Sequence, residues 1–95
     1  MLFDKNDFDK MKDQYQLNKL AIEVETNIIL NEKLMDNYDE TISYAKMTEL
    51  LDLMNELQDL RNKAMAHNAQ EVFNMCENYI VNIEHQMNKL RNKYM

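Results

Sequence analysis

Residues 73–94, FNMCENYIVNIEHQMNKLRNKY, decide the fold class of this chain. Apolar side chains recur in this stretch at alternating steps of three and four, the heptad seam of a helix that packs against other helices. The seam consists of Phe73, Cys76, Ile80, Ile83, Met87, Leu90 and Tyr94. Asn68, followed three residues later by Glu71, resembles a capping box at the helix start. We therefore predict a helix over residues 69–93.

The preceding segment, residues 40–66, has a broader helical pattern. At 100° per residue its apolar side chains cover about half of the helix circumference, which indicates a helix lying between two partners. These side chains are Met47, Leu50, Leu51, Leu53, Met54, Leu57, Leu60 and Ala64. Asp39 or Thr41 could cap the start of this helix.

The first third predicts a helix over residues 7–35 with two apolar stripes. The first stripe contains Phe8, Met11, Tyr15, Ile22 and Ile29. The second stripe, about 120° or more away, contains Leu17, Leu20, Val24, Ile28, Met35 and Tyr38. Two stripes on one helix suggest two contacts, one with the chain's own core and one with a second subunit. Asn27 and Asn31 interrupt the second stripe, and a buried Asn can set helix register and oligomeric state.

The chain has neither glycine nor proline among its 95 residues, which disfavours sheets and glycine-rich enzyme loops. We therefore predict an all-α fold, a three-helix antiparallel bundle formed by one domain, residues 1–95. Coiled-coil-like seams favour a homodimer of this bundle. The link at residues 36–39 has turn composition but no helix breaker, so an elongated form with continuous first and second helices is the alternative.

Composition and charge exclude several classes of function. The formal net charge of −6 argues against a nucleic-acid-binding surface. The sequence shows no signal peptide and no apolar run long enough to cross a membrane, so we expect a cytoplasmic protein without membrane contact. With two histidines, one cysteine and no Glu-x-x-His pair, we expect no metal and no cofactor. Cys76 lies on the apolar seam, where a cysteine is usually an inert small hydrophobe.

One short motif could carry chemistry. Residues 61–67, RNKAMAH, resemble the R-x(4–6)-H signature of HEPN ribonucleases, which are all-helical and pair two such motifs across a dimer. The resemblance implies that Arg61 holds the phosphate and that His67 is the acid or base. Six residues turn a helix by about 240°, so the two side chains meet only if the helix breaks or a second subunit supplies one. The alternative is that Arg61 borders the seam and His67 complements the helix dipole.

The middle helix also carries an acidic row on its polar side: Glu49, Asp52, Glu56 and Asp59. This row is either a solvated face or a docking site for a basic partner. We expect no catalytic residues and interpret the chain as a non-enzymatic interaction module, such as a small regulator, inhibitor, antitoxin or immunity factor. Its partner-binding residues would be Phe8, Met11, Tyr15 and the acidic row. The HEPN-like ribonuclease and a self-assembling scaffold are the alternatives, and the Asn- and Lys-rich composition suggests a phage or mobile element.

Overall fold

The computed structural model describes residues 5–34 and 40–94 of the chain. They form three α-helices: α1, Lys5–Leu34; α2, Glu40–Ala66; and α3, Gln70–Tyr94. No strand occurs in these two described ranges. The all-α prediction is confirmed, and each helix end lies within two residues of its predicted position. The link at 36–39, including Asp39, and the side chain of Thr41 lie outside the described part.

Helix α2 runs antiparallel to its neighbours. Asp13, early in α1, contacts His67, which directly follows α2. Asn27, late in α1, contacts Lys46, early in α2. Every pair of helices is in contact, so the predicted three-helix antiparallel bundle is confirmed. The alternative of one long helix through α1 and α2 is wrong, because α2 folds back along α1.

The core lies along the axis of the bundle and contains one face of each helix. Its buried apolar residues are Leu17, Leu20, Val24, Leu50, Leu53, Leu57, Leu60, Ala64, Ala69, Val72, Cys76, Ile80, Ile83 and Leu90. The α1 contribution is the second predicted stripe, with Ile28 partly buried beside it. Met35 and Tyr38 of that stripe lie outside the described residues. In the seam of α3, Cys76, Ile80, Ile83 and Leu90 are buried and Phe73 and Met87 are partly buried, as the heptad spacing predicts. The side chain of Tyr94 lies outside the described part.

The turn between α2 and α3 has an asparagine in a left-handed conformation. Asn68 has φ of 59°, a value that non-glycine residues seldom adopt and that Asn tolerates best. The Ala69 N–H donates to the Ala64 carbonyl at 2.8 Å and the Asn68 N–H to the Met65 carbonyl at 3.2 Å, the two bonds of a Schellman motif. The sequence-based capping box is therefore wrong: Asn68 ends α2, and Ala69, whose carbonyl accepts from the Phe73 N–H, has the N-cap position of α3.

We expect Asn68→Ala to lower the free energy of unfolding by about 1 kcal/mol, because a residue that has a Cβ but no polar side chain is strained at positive φ. Asn68→Gly is the matched control and should leave stability unchanged or raise it. Urea titrations followed by circular dichroism measure both variants. Equal stability of the Ala and Gly variants would contradict a left-handed residue 68.

A buried amide pair joins α1 to α3. Asn31 Nδ2 donates to Gln86 Oε1 at 2.7 Å, and both side chains are buried. Among the described residues, no group donates to Asn31 Oδ1, although this oxygen is also buried. Because an unpaired amide is costly in a core, Asn31 and Gln86 disfavour any shift of α1 along α3. The expectation that an asparagine of the second stripe is buried holds for Asn31.

Candidate interaction surface

The first stripe of α1 lies outside the core. We call Phe8, Met11, Tyr15, Ile22 and Ile29 the outer row. These five side chains are 54% to 68% exposed. On a helix with 100° per residue, the outer row lies about 120–180° from Leu17 and Val24, which are buried in the core. Of the two predicted stripes, the second therefore packs inside the bundle, and the first is left exposed by α2 and α3.

Lysines cover the two aromatic rings of the outer row. Lys12 Nζ lies 5.0 Å from the Phe8 ring centroid, and Lys19 Nζ lies 5.1 Å from the Tyr15 ring centroid. Each lysine follows its ring by four residues, so one helix turn brings the pair together. The lysine stems extend the apolar surface, while their ammonium groups give one edge of the row a positive charge.

The acidic row forms one wall of a shallow groove between α1 and α2. The side chains of Glu49, Asp52, Glu56 and Asp59 are all exposed. The first three line the groove together with Glu23, Asn27 and Leu53. Glu23 adds a carboxylate from α1 that sequence reasoning missed, because its proximity to α2 depends on how the helices pack.

Lys46 neutralises one end of this acidic row. Its Nζ donates to Glu49 Oε2 at 3.0 Å and to Asn27 Oδ1 at 2.8 Å, and the lysine is 8% exposed. Two acceptors around a nearly buried ammonium group compensate for its loss of water. Asp52, Glu56 and Asp59 are therefore the part of the row that faces solvent without this internal cation.

His67 lies in the turn after α2 and is held by a carboxylate of α1. Its Nδ1 lies 2.6 Å from Asp13 Oδ2, and its Nε2 lies 3.8 Å from Asp9 Oδ2. Since an ionised carboxylate only accepts hydrogen bonds, Nδ1 donates and carries the proton. Asp13 is 3% exposed, and sequence reasoning missed it. The signal was present, because Asp13 precedes Leu17 by four residues and so lies on the core face of α1.

Arg61 and His67 are held by different helices. Arg61 donates from Nη1 to Glu77 Oε1 on α3 at 2.8 Å, whereas His67 binds Asp13 on α1. Helix α2 ends at Ala66, so the expected break near His67 is present. Each member of the motif therefore has an internal carboxylate partner.

Cys76 is fully buried at the centre of this polar end of the bundle. Burial raises the pKa of its thiol from 9.0 to about 11; the Arg61 charge opposes this rise, and the Asp13 and Glu77 carboxylates add to it. The thiol is therefore protonated at neutral pH, and a protonated, buried cysteine is a poor nucleophile. Sequence reasoning interpreted Cys76 as an inert core residue, and its burial is as expected.

We expect iodoacetamide to alkylate Cys76 about 100-fold more slowly in the folded protein than in guanidinium at the same mildly alkaline pH, because little thiolate forms. Intact-mass spectra over time measure both rates. The raised pKa also stabilises the fold only while the thiol stays protonated. That contribution is complete below pH 9.0 and is lost as the pH rises to about 11. Alkylation at similar rates in both states would contradict the buried thiol.

In residues 5–34 and 40–94, no three His, Cys, Asp or Glu side chains form a group that could hold a metal ion. The described helices also include none with the length and apolarity to cross a membrane. Comparison of the chain with protein-family models, curated proteins and solved structures found no match.

Proposed function

We propose that this protein is a non-enzymatic interaction module, a small regulator or inhibitor of the antitoxin or immunity type that acts by steric binding to another protein. The observation that carries the proposal is the outer row. Five large apolar side chains on one helix face, each more than half exposed, contribute little to the core. Large exposed apolar side chains aligned on one face are typical of interaction surfaces, whereas scattered single residues are not.

The shape of the surface suggests its ligand. The outer row follows a single straight helix, and such a face pairs with the apolar side of another helix. The lysines beside Phe8 and Tyr15 add specificity for a surface that carries acidic or polar groups at its edge. Binding would block whatever that helix otherwise contacts, and this mechanism needs no catalytic group.

The acidic row is the second surface of the proposed module. Asp52, Glu56 and Asp59 lie exposed on α2, and Glu23 extends the negative charge across the groove to α1. A partner with lysine or arginine side chains at this position would gain faster association and correct orientation.

The proposal is tested by capturing proteins from the native host with the tagged full-length chain and comparing variants. Tyr15→Ser with Ile22→Ser removes apolar area from the outer row. The matched control is Leu51→Ser with Val81→Ser, since these side chains are also large, apolar and exposed. Circular dichroism should show that both proteins remain folded. We expect the outer-row variant to capture at least about tenfold less of the partner than the wild type does. The control variant should capture as much as the wild type.

The acidic row is tested in the same way with Glu56→Gln and Asp59→Asn. The control is Glu71→Gln with Glu84→Gln, two exposed carboxylates of α3 that also change the net charge by two. We expect only the acidic-row variant to bind more slowly at low salt. If neither surface variant weakened a complex formed by the wild type, the interaction module would be refuted.

A HEPN-like ribonuclease is the second candidate, supported by one arrangement. His67 directly follows the last residue of α2, and Asp13 orients its ring through Nδ1. A carboxylate that orients a histidine in this way is common in acid–base sites. His67→Ala should then abolish cleavage of a single-stranded RNA, and His85→Ala, which changes an exposed histidine of α3, should not. Equal activity, or equal inactivity, of both variants and the wild type would exclude this candidate.

A further inference from the structure

We propose that the outer row binds a second copy of this chain, and that the two α1 helices pair in parallel. The inference rests on the proposed function only in treating the outer row as an interaction surface. In place of the foreign helix considered above, it assigns a second copy of the chain to that surface, and a different protein would then bind at the acidic row of each copy.

The spacing of the outer row matches one of the two repeating positions of a heptad seam, and the other position is apolar only at Met11. Phe8, Tyr15, Ile22 and Ile29 follow one another at intervals of seven residues and span about 32 Å of helix. A strict seven-residue repeat stays on one line when two helices supercoil around each other. In a parallel pair each of these four residues meets its own copy, so ring packs on ring and isoleucine on isoleucine.

The two edges of the row carry different charges. Four residues after Phe8, Tyr15 and Ile29 come Lys12, Lys19 and Lys33. The other edge, three residues after each repeating position, consists of Met11, Asn18, Glu25 and Glu32. One edge is therefore basic, and the other is apolar, then neutral, then acidic along the helix.

This separation of charge favours the parallel orientation. In a parallel pair the basic edge of one copy lies beside the other edge of its partner, so Lys33 faces Glu32 and Lys19 faces Asn18. In an antiparallel pair the two basic edges lie together, which brings Lys19 against its own copy at the centre. Like charges across a helix pair are destabilising, so the parallel pair has the better electrostatics.

The available surface is adequate for a homodimer. Helix α1 carries five lysines and six carboxylates, so two copies meet without a large charge on either side. The outer row presents roughly 400–500 Å² of apolar area, since its large side chains are about half exposed. This is half or more of the ~800 Å² per partner of a standard interface, and the lysine stems at the edge add to it.

The oligomeric state of the purified full-length chain is the first test. Sedimentation equilibrium should give a dimer at micromolar concentrations. Ile22→Glu should weaken dimerisation by about 100-fold or more, because two unpaired carboxylates would be buried at the seam. Val81→Glu is the matched control, an equally exposed β-branched residue on α3, and it should dimerise as the wild type does. A wild type that stays monomeric, or equal dissociation by both variants, would overturn the proposal.

Disulfide cross-linking tests the orientation. In the parallel pair, Ile22→Cys and Tyr15→Cys should each form a covalent dimer with its own copy under mild oxidation, while buried Cys76 stays reduced. Cross-linking that needs a mixture of the two variants would show antiparallel pairing and overturn the parallel assignment. If the wild type is monomeric yet the outer-row variant loses a captured foreign protein, this inference fails while the interaction module stands. If the wild type is a dimer that captures no other protein, this inference stands and the interaction module fails.

Discussion

Leu57→Ala should lower the free energy of unfolding by about 3 kcal/mol, the largest single effect that we expect from a core substitution in this protein. Leu57 is fully buried in the core face of α2, the helix that contacts both α1 and α3. Removing its side chain loses apolar burial and leaves a cavity that the surrounding helices fill only in part. A chain of this length has a total stability of ~5–14 kcal/mol. Since each kcal/mol shifts the midpoint of thermal unfolding by about 4–8 °C in a domain of this size, the midpoint should fall by roughly 12–24 °C.

The control for this variant is Leu51→Ala on the same helix. Leu51 is 43% exposed, and its truncation should change the free energy of unfolding by no more than about 0.5 kcal/mol. Urea denaturation of the two variants and the wild type, with a common m-value, gives the difference directly. A smaller loss for Leu57→Ala than for Leu51→Ala would contradict the packing of α2 in the bundle.

Gln86→Leu should cost about 1–3 kcal/mol, although it replaces a polar core residue with an apolar one. The cost arises in α1, where Asn31 would lose its only described partner and keep both amide atoms buried without a hydrogen bond. Replacing both residues, in Asn31→Leu with Gln86→Leu, removes the unpaired groups. The double variant should therefore be at least as stable as the wild type.

A double-mutant cycle measures this coupling. The two single variants and the double variant are unfolded in urea, and the interaction energy is the departure of the double variant from the sum of the singles. The amide spectrum of the double variant is the second readout, because loss of the polar pair should permit alternative registers of α1 against α3 and broaden the resonances. Additive effects of the two substitutions would show that Asn31 and Gln86 are not partners.

The helices and much of the core could be predicted from the sequence for a local reason. Helix periodicity depends on neighbours three and four residues apart, so the seam of α3 and the second stripe of α1 are readable without knowing the fold. The absence of glycine and proline removed the main alternatives to long helices. The prediction that Asn68 caps the start of α3 was wrong, because a residue between two helices can end one or begin the other. The backbone dihedral that separates these roles is not encoded in residue type alone.

The candidate site could be predicted only in part. The outer row and the acidic row were identified as faces of single helices, and both are exposed as such a reading expects. The contacts of Asp13 with His67, of Lys46 with Asn27, and of Glu23 with the groove were not predicted, because they join residues from different helices.

By itself, the sequence determined three amphipathic helices, their approximate bounds and the presence of two apolar faces on α1. Only the tertiary structure decided which of those two faces is enclosed. That choice follows from packing, because α2 and α3 together cover one side of α1. The enclosed side brings Leu17, Leu20 and Val24 into the core. It also buries Asp13 and Asn31, whose hydrogen-bond partners are His67 and Gln86, respectively. The opposite orientation would remove those partners and bury the lysine edge of the outer row, whose charges have no acceptors inside the core.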